Sequence, residues 1–427
     1  MIYDLIIKNA KLINYNNLVD IAISNGQFSI IGNNLELPSN QVIDAEGCLV
    51  IPPYVQSHVH LDSALTSGEP KYNQRGTLYE GIEIWSERRK SITKEDIITR
   101  ATEAIRWHIG QGILHLRSHV DISDPNLTAV KALLEVKEKM MPYITLQLVG
   151  FPQEGIMDYP KAEELMEEAL KLGIDAVGGA PHLEFTREDG IESIRRIFKL
   201  AEKYDKLIDI HCDETDDEQS RFLEVVAANA IRRGFHQRVT ASHTTAMHSY
   251  NNPYAAKVLG LCKKSKINFI ANPLSNITLQ GRFDTYPKRR GITRVKEISE
   301  LGINISLGHD NIMDPFYGLG TGNMLQVANM CIHISQLTGF NEIERVFDMI
   351  THNGAKTLNI ESNYGIEIGK PASLVILDAI DQVDALRRMA VAKTVISKGE
   401  VVAETPPLRT TVTINKKTEV VSYRKIQ

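Results

Sequence analysis

Between residues 54 and 308 the chain carries eight short apolar runs rich in Val and Ile, separated by amphipathic stretches of helical period, and that alternation restricts the fold more than any other feature. The runs are Tyr54–His60, Ile113–Val120, Ile144–Phe151, Ala176–His182, Leu207–Cys212, Val239–His243, Ile267–Pro273 and Ile303–Gly308. Helix candidates between them include Asp96–Gln111, Leu127–Met141, Ala162–Leu172, Ile191–Lys203 and Ser220–Arg233. A strand buried on both faces reads as a continuous apolar run, whereas a helix covering a sheet needs only one apolar stripe. Eight strand–helix units in succession therefore predict an α/β fold, a (β/α)8 TIM-like barrel rather than an open sheet.

The two ends follow a different pattern. The first 50 residues (DLIIKNAKLIN, VDIAIS, QFSIIG) and the tail after about residue 365 (ASLVILDA, AKTVISKGEVVAE) read as strands with no helices between them. They predict a small β-sandwich satellite domain formed by both termini, residues 1–52 and 365–427, beside a barrel of residues 53–364. A total of 427 residues suits that division, because it exceeds what one hydrophobic core usually serves.

Composition removes several function classes. No stretch is apolar for long enough to span a bilayer, and MIYDLIIKNAKLIN, with Asp4 inside its first apolar run, lacks the order of a signal peptide; a cytoplasmic protein is expected. Cys48, Cys212, Cys262 and Cys331 are widely spaced and form no CxxC pair, which argues against a cysteine zinc site. With 48 Lys and Arg against 53 Asp and Glu, the net charge of −5 provides no cationic field for a nucleic-acid backbone. The short cluster Lys288-Arg289-Arg290 reads as a solvated or ion-paired surface, since no glycine-rich cradle precedes a helix there.

The polar residues with chemical potential fall at the carboxyl ends of the predicted strands, where the loops of a barrel build active sites. In VQSHVHLD, His58 and His60 are two apart on one strand and so point to the same side, able to share one ion. Strand five ends in His211, with Glu214 three residues on; strand six ends in His243 and strand eight in Asp310. A single buried histidine is most often structural, but imidazoles and a carboxylate converging from four strand ends suit a borderline divalent ion such as zinc or ferrous iron with one position open to water. Such an ion lowers the pKa of water from near 16 toward roughly 7, and Glu214 is placed to carry the proton.

On the segments HVHLD (58–62), NQRGTLYEGIE (73–83), FPQEG (151–155), HCDETDDEQSRF (211–222), TASHTTAMHSYN (240–251), LQGRFDTYPKRRGITRVKE (279–297) and GHDNIMDP (308–315), the chain resembles the amidohydrolase superfamily, and within it the bacterial cytosine deaminases, over nearly its whole length. The resemblance implies that His58, His60, His211 and Asp310 bind one divalent metal ion per subunit, Fe2+ preferred and Zn2+ possible. It implies that His243 orients the attacking water, that Glu214 shuttles its proton to a ring nitrogen, and that Gln153 hydrogen-bonds the carbonyl edge of a pyrimidine whose other contacts include Leu78, Asn311 and Phe316. The reaction implied is hydrolysis of the exocyclic amine of free cytosine or a close analogue, releasing ammonia, by a homo-oligomer whose partner is a small nucleobase. Strand four supports one metal rather than two: relatives with two metals carry a bridging lysine there, whereas AVGGAPHLE carries His182, read either as structural or as bracing the site from behind its ligands. His119 reads as similar, nearer the pocket wall, and His248 as bracing a loop.

Two positions depart from that pattern. Asn311 and Phe316 stand where the family usually has an aspartate and a tryptophan, so one charge and part of one ring are missing; room for a 5-substituent, as in 5-methylcytosine, is one expected consequence, and neutral drift with plain cytosine still preferred is the other. The competing readings are a deaminase of isoguanine, creatinine or another cyclic amidine, and a non-catalytic binding protein on the same barrel. A nucleic-acid editing deaminase is disfavoured because its HxE and PCxxC pattern is absent.

Overall fold

A computed structural model of the protein describes residues 2–424. The chain divides into two compact units: one takes the residues up to Pro53, Ile109–Gly112 and the residues from Ser362 onward; the other takes Tyr54–His108 and Ile113–Glu361.

The larger unit is an eight-stranded, all-parallel sheet whose strands follow one another in sequence order. They are Tyr54–His60, Ile113–Asp121, Thr145–Phe151, Ala176–Gly179, Leu207–Cys212, Val239–His243, Asn268–Ala271 and Ile305–Leu307, called the first to eighth barrel strands below. The sheet closes through a parallel bridge between Val59 and Asp310, where the Asp310 amide donates to the His58 carbonyl (2.9 Å) and the His60 amide to the Asp310 carbonyl (3.1 Å). Every residue of the fifth strand but its first, and every residue of the sixth, is buried, so that polar residues such as Asp209, His211 and Ser242 are enclosed along with the apolar ones between them.

Local chemistry accounts for the ends of the elements. Thr77 caps the helix Leu78–Arg89 by accepting from the Glu80 amide, and Thr186 does the same for Arg187–Tyr204 through Asp189. Gly173, at φ 116°, ends the helix Ala162–Leu172 in the left-handed conformation that glycine adopts at least cost. Three strands are shorter than the apolar runs suggest. The fourth stops at Gly179 because Pro181 has no N–H for the ladder and opens the 3-10 turn Pro181–Leu183; in the seventh run Pro273 begins a helix, Pro273–Leu279; the eighth strand covers only Ile305–Leu307.

The smaller unit packs two four-stranded sheets. Tyr3–Ala10 lies between Val19–Ser24 and Ser39–Asp44 in the first, with Gln27–Gly32 at the edge; Val50–Ile51, Leu374–Leu377, Ala392–Ser397 and Glu400–Glu404 make the second. Leu5, Ile7, Ile21 and Ile23 from one sheet share a core with Leu374, Ile376 and Ile396 from the other, giving the expected sandwich. The expectation of no helix in the tail is corrected by the short helix Gln382–Arg388, whose first turn is capped by Asp381 and whose Asp384 pairs with Arg387 and Arg388. Seven residues between strands are too few for a periodic signal.

Candidate active site

Four barrel strands deliver their last residues to one place. His58 and His60 end the first strand, His211 is next to last on the fifth, His243 is last on the sixth, and Asp310 follows the eighth. The Nε2 atoms of His58 and His60 each lie 3.4 Å from Asp310 Oδ1, and the Nε2 atoms of His60 and His211 are 3.3 Å apart. Nitrogen and oxygen atoms about 2.1 Å from a common tetrahedral centre stand roughly 3.4 Å from one another, so the spacing is that of an ion's ligand cage. No hydrogen bond satisfies the Nε2 of fully buried His58, which leaves a lone pair facing the cluster. These donors fit one divalent cation.

Electrostatics prepare the groups for that task. Burial keeps His60 neutral, its pKa lowered to about 4, although Asp310 opposes the shift; burial and the neighbouring imidazoles hold His211 and His243 well below the ordinary histidine value. Burial alone would raise the Asp310 carboxyl, but His58, His243 and His60 outweigh it and keep the group ionised below the usual carboxylate range. Glu214 behaves oppositely: burial, assisted by the Asp310 charge, holds its pKa well above the ordinary carboxyl value. Its Oε1 lies 3.2 Å from His243 Nδ1, which also receives Asn276 Nδ2 at 2.9 Å. Two carboxyl groups in one site are thus shifted in opposite directions, the arrangement that separates an anchoring anion from an acid–base group.

The backbone is strained where these side chains leave it. His243 and Asp310 have φ of 68° and 72°, and Asp213, between His211 and Glu214, has 52°. Left-handed residues other than glycine cost on the order of 1–3 kcal/mol each and persist only where the surroundings fix them. The barrel-closing ladder fixes Asp310. The buried Asp213 carboxylate, accepting from Ser220 Oγ (2.7 Å) and from the amides of Phe222 (3.0 Å) and Leu223 (2.9 Å), fixes the turn that carries Glu214.

Above the cluster opens a small pocket with a cavity volume of about 40 Å³. Gln153, Leu78, Phe316 and Asn311 all line it, as do His60, His211, His243, Glu214 and Asp310. Asn311 is not free to bind: its Oδ1 accepts from Ser275 Oγ and its Nδ2 donates to Asp314, both at 2.8 Å, so the neutral amide joins a hydroxyl to a carboxyl that burial has raised to about 7. His182, on its 3-10 turn, is buried and lines the pocket wall, and burial lowers its pKa to about 4. His119 is fully buried with its ring centroid 4.1 Å from that of His58, behind the cluster and not on the wall. His248 ends the turn Thr245–His248 outside the pocket lining.

Several residues that shape the pocket carry no motif. Gly81 is buried one turn into Leu78–Arg89; a Cβ there would meet the Phe316 ring at 2.6 Å, so the missing side chain is what lets that ring lie back against the helix. Glu184 holds the Gln153 loop, accepting from the amides of Ile156 (2.8 Å) and Met157 (3.1 Å). The Lys288-Arg289-Arg290 cluster is spent on neighbouring protein groups: Arg289 pairs with Asp284 at 2.7 Å, Lys288 donates to the Gly281 carbonyl and Arg290 to the Ile334 carbonyl.

Residues 41–403 match the Amidohydrolase family. The chain belongs to that family and is a metal-dependent hydrolase acting on C–N bonds. It is 46% identical to the 5-methylcytosine deaminase of Klebsiella pneumoniae, whose crystal structures with 5-fluorocytosine and with phosphonocytosine superpose with a TM-score of 0.92, covering 94% of this chain and 98% of that one. It is 33% identical over 416 residues to the N-isopropylammelide isopropyl amidohydrolase of Pseudomonas sp. (strain ADP), covering 94% of this chain and 98% of the relative. A pterin deaminase of Rhizobium rhizogenes is 26% identical, with 85% and 83% covered. Among the described residues no helix is long and apolar enough to cross a membrane.

Proposed function

We propose that this protein deaminates a free aminopyrimidine, cytosine or 5-methylcytosine, to the corresponding uracil and ammonia, with one divalent ion held by His58, His60, His211 and Asp310, iron preferred and zinc able to serve. The observation that carries the reading is the contact of His58 and His60 with Asp310, each at 3.4 Å, and of His60 with His211 at 3.3 Å, beneath a pocket that is also lined by Glu214 and Gln153. The same family membership and the likeness to a 5-methylcytosine deaminase support it.

When bound, the cation supplies Lewis acidity that brings the pKa of water toward about 7. The protein's side chains do the rest. Gln153 hydrogen-bonds the carbonyl and ring-nitrogen edge of the base and sets its orientation, and Leu78 and Phe316 confine the ring. His243 polarises the attacking water and stabilises negative charge as it develops. Glu214, 3.2 Å from His243, gives a proton to the ring nitrogen beside the amino-bearing carbon, takes one from the water and delivers it to the departing amine, which leaves as ammonia, and regains its own proton from the new hydroxyl as the carbonyl forms. The substitution of Phe for a larger ring, together with a neutral Asn311 engaged by Ser275 and Asp314, supports acceptance of a methyl group at the 5-position.

The test is release of ammonia from cytosine, 5-methylcytosine, isoguanine and creatinine, and of the alkylamine from an N-alkylaminotriazine, using iron-loaded and zinc-loaded protein. Turnover of the two cytosines ahead of the others is expected; a preference for any of the last three would overturn the assignment.

A further inference from the structure

Directly beneath the ligand cluster lies a chain of buried hydrogen bonds that the proposed chemistry does not use. Ser242 Oγ is 2.6 Å from Asp209 Oδ1 and 3.1 Å from His58 Nδ1. A serine has one hydrogen to give, and the carboxylate takes it, so the hydroxyl oxygen accepts from His58 Nδ1–H. That places the proton of the imidazole on Nδ1 and leaves Nε2, the atom without a hydrogen-bond partner, as a lone pair directed at Asp310, 3.4 Å away. Asp209 is in turn held by Arg117, whose Nη1 donates to its Oδ2 at 2.9 Å.

Arg117 is the largest fully buried side chain of the protein, and each of its five N–H groups is used: on Asp209, on Thr240 Oγ1 (3.2 Å), twice on Gln147 Oε1 (3.1 and 2.9 Å) and on the Thr357 carbonyl (2.9 Å). An ion pair at the centre of a barrel is an inefficient way to stabilise a fold, since apolar residues of the same volume do as well or better. It is an efficient way to immobilise a carboxylate. The four anchoring residues come from the third, fifth and sixth strands and the segment after the eighth, while Arg117 itself stands on the second, so the carboxylate, and through it the serine, moves only if the barrel does.

We propose that Ser242, backed by Asp209 and Arg117, is a positioning residue that fixes the tautomer and ring orientation of His58 so that its Nε2 is presented to the cation. The inference rests on the reading of His58 as a metal ligand. Partners of this kind on a ligating imidazole typically change metal affinity 10- to 100-fold when removed.

The experiment measures Zn2+ affinity by chelator competition, together with thermal unfolding of the metal-free protein, for wild type, Ser242→Ala and Ser242→Thr. Ser242→Ala deletes one hydroxyl and should weaken Zn2+ binding 10- to 100-fold while the metal-free protein melts within a few degrees of wild type; Ser242→Thr, which keeps the hydroxyl, should bind within about 3-fold of wild type. Should Ser242→Ala fail to fold, Thr240→Val and Asp209→Asn separate the roles: the first loosens Arg117 alone and should leave affinity unchanged, while the second, which breaks the link to Ser242, should lower it. An affinity unchanged in Ser242→Ala, or equal losses in all folded variants, overturns the proposal. Wild-type protein that binds no Zn2+ defeats the ligand reading itself, and that result appears before any substitution is made.

Discussion

The floor and the wall of the pocket are built on different principles. On the floor, His58, His60, His211, His243 and Asp310 stand at strand ends, on backbone held by the barrel's own ladder and by the buried Arg117–Asp209 layer. On the wall, Gln153, Leu78 and Phe316 come from a loop, a helix start and a turn, each held by one or two contacts: Gln153 by Glu184, Phe316 by the space left at Gly81. Chemistry that tolerates no displacement is assigned to the sheet, and selection of the substrate to segments that can change without disturbing it.

The comparison is most open to failure at Glu214. Glu214→Gln should lower kcat by about 10²–10⁴-fold while metal content is unchanged, and Asp310→Ala should lose both; metal analysis beside ammonia-release kinetics checks the pair. If Glu214→Gln also empties the site, floor and proton carrier are not separable. On the wall, Gly81→Ala should stabilise the helix locally by about 1 kcal/mol yet push the Phe316 ring into the pocket. We expect kcat/KM for 5-methylcytosine to fall roughly 10-fold further than for cytosine, with Phe316→Leu restoring the ratio in the double variant; equal losses on both substrates would mean the wall does not select. Smaller still, Glu184→Gln removes one of two acceptors that hold the Gln153 loop and should raise KM about 5-fold with kcat nearly unchanged.

The smallest effect concerns stability. His108, buried and away from the floor, has its pKa lowered to about 4 by burial. A depressed folded-state value means that the unfolded chain binds protons first, so this group's contribution is complete above pH 6.5 and is lost as pH falls from 6.5 toward 4. The loss is roughly 3 kcal/mol at most. Urea unfolding of metal-free protein across that range should weaken toward acid, and less steeply in His108→Gln.

The barrel was legible because a parallel strand covered on both sides is largely apolar, and the positions of His58, His60, His211 and His243 followed from where those runs end. The strand ends at Pro181 and Pro273 were misjudged by a few residues, because apolar character outlasts the hydrogen-bond ladder that proline interrupts. His182 reads from sequence as either structural or bracing, since nothing local distinguishes a histidine that lines a cavity from one packed beside it. Gly81 and Glu184 have no periodic or motif signal: one acts by lacking an atom, the other by meeting amides 28 and 27 residues away in the chain.

What the order of residues determined alone is therefore the architecture and the kind of chemistry, since periodicity selects element type and the side-chain inventory limits what can bind a cation or move a proton. Tertiary structure decided the protonation and aim of those groups. Glu214 and Asp310 are both acidic residues in one pocket, and only the arrangement of burial and neighbouring imidazoles, a sum over atoms distant in sequence, makes one an acid and the other an anion.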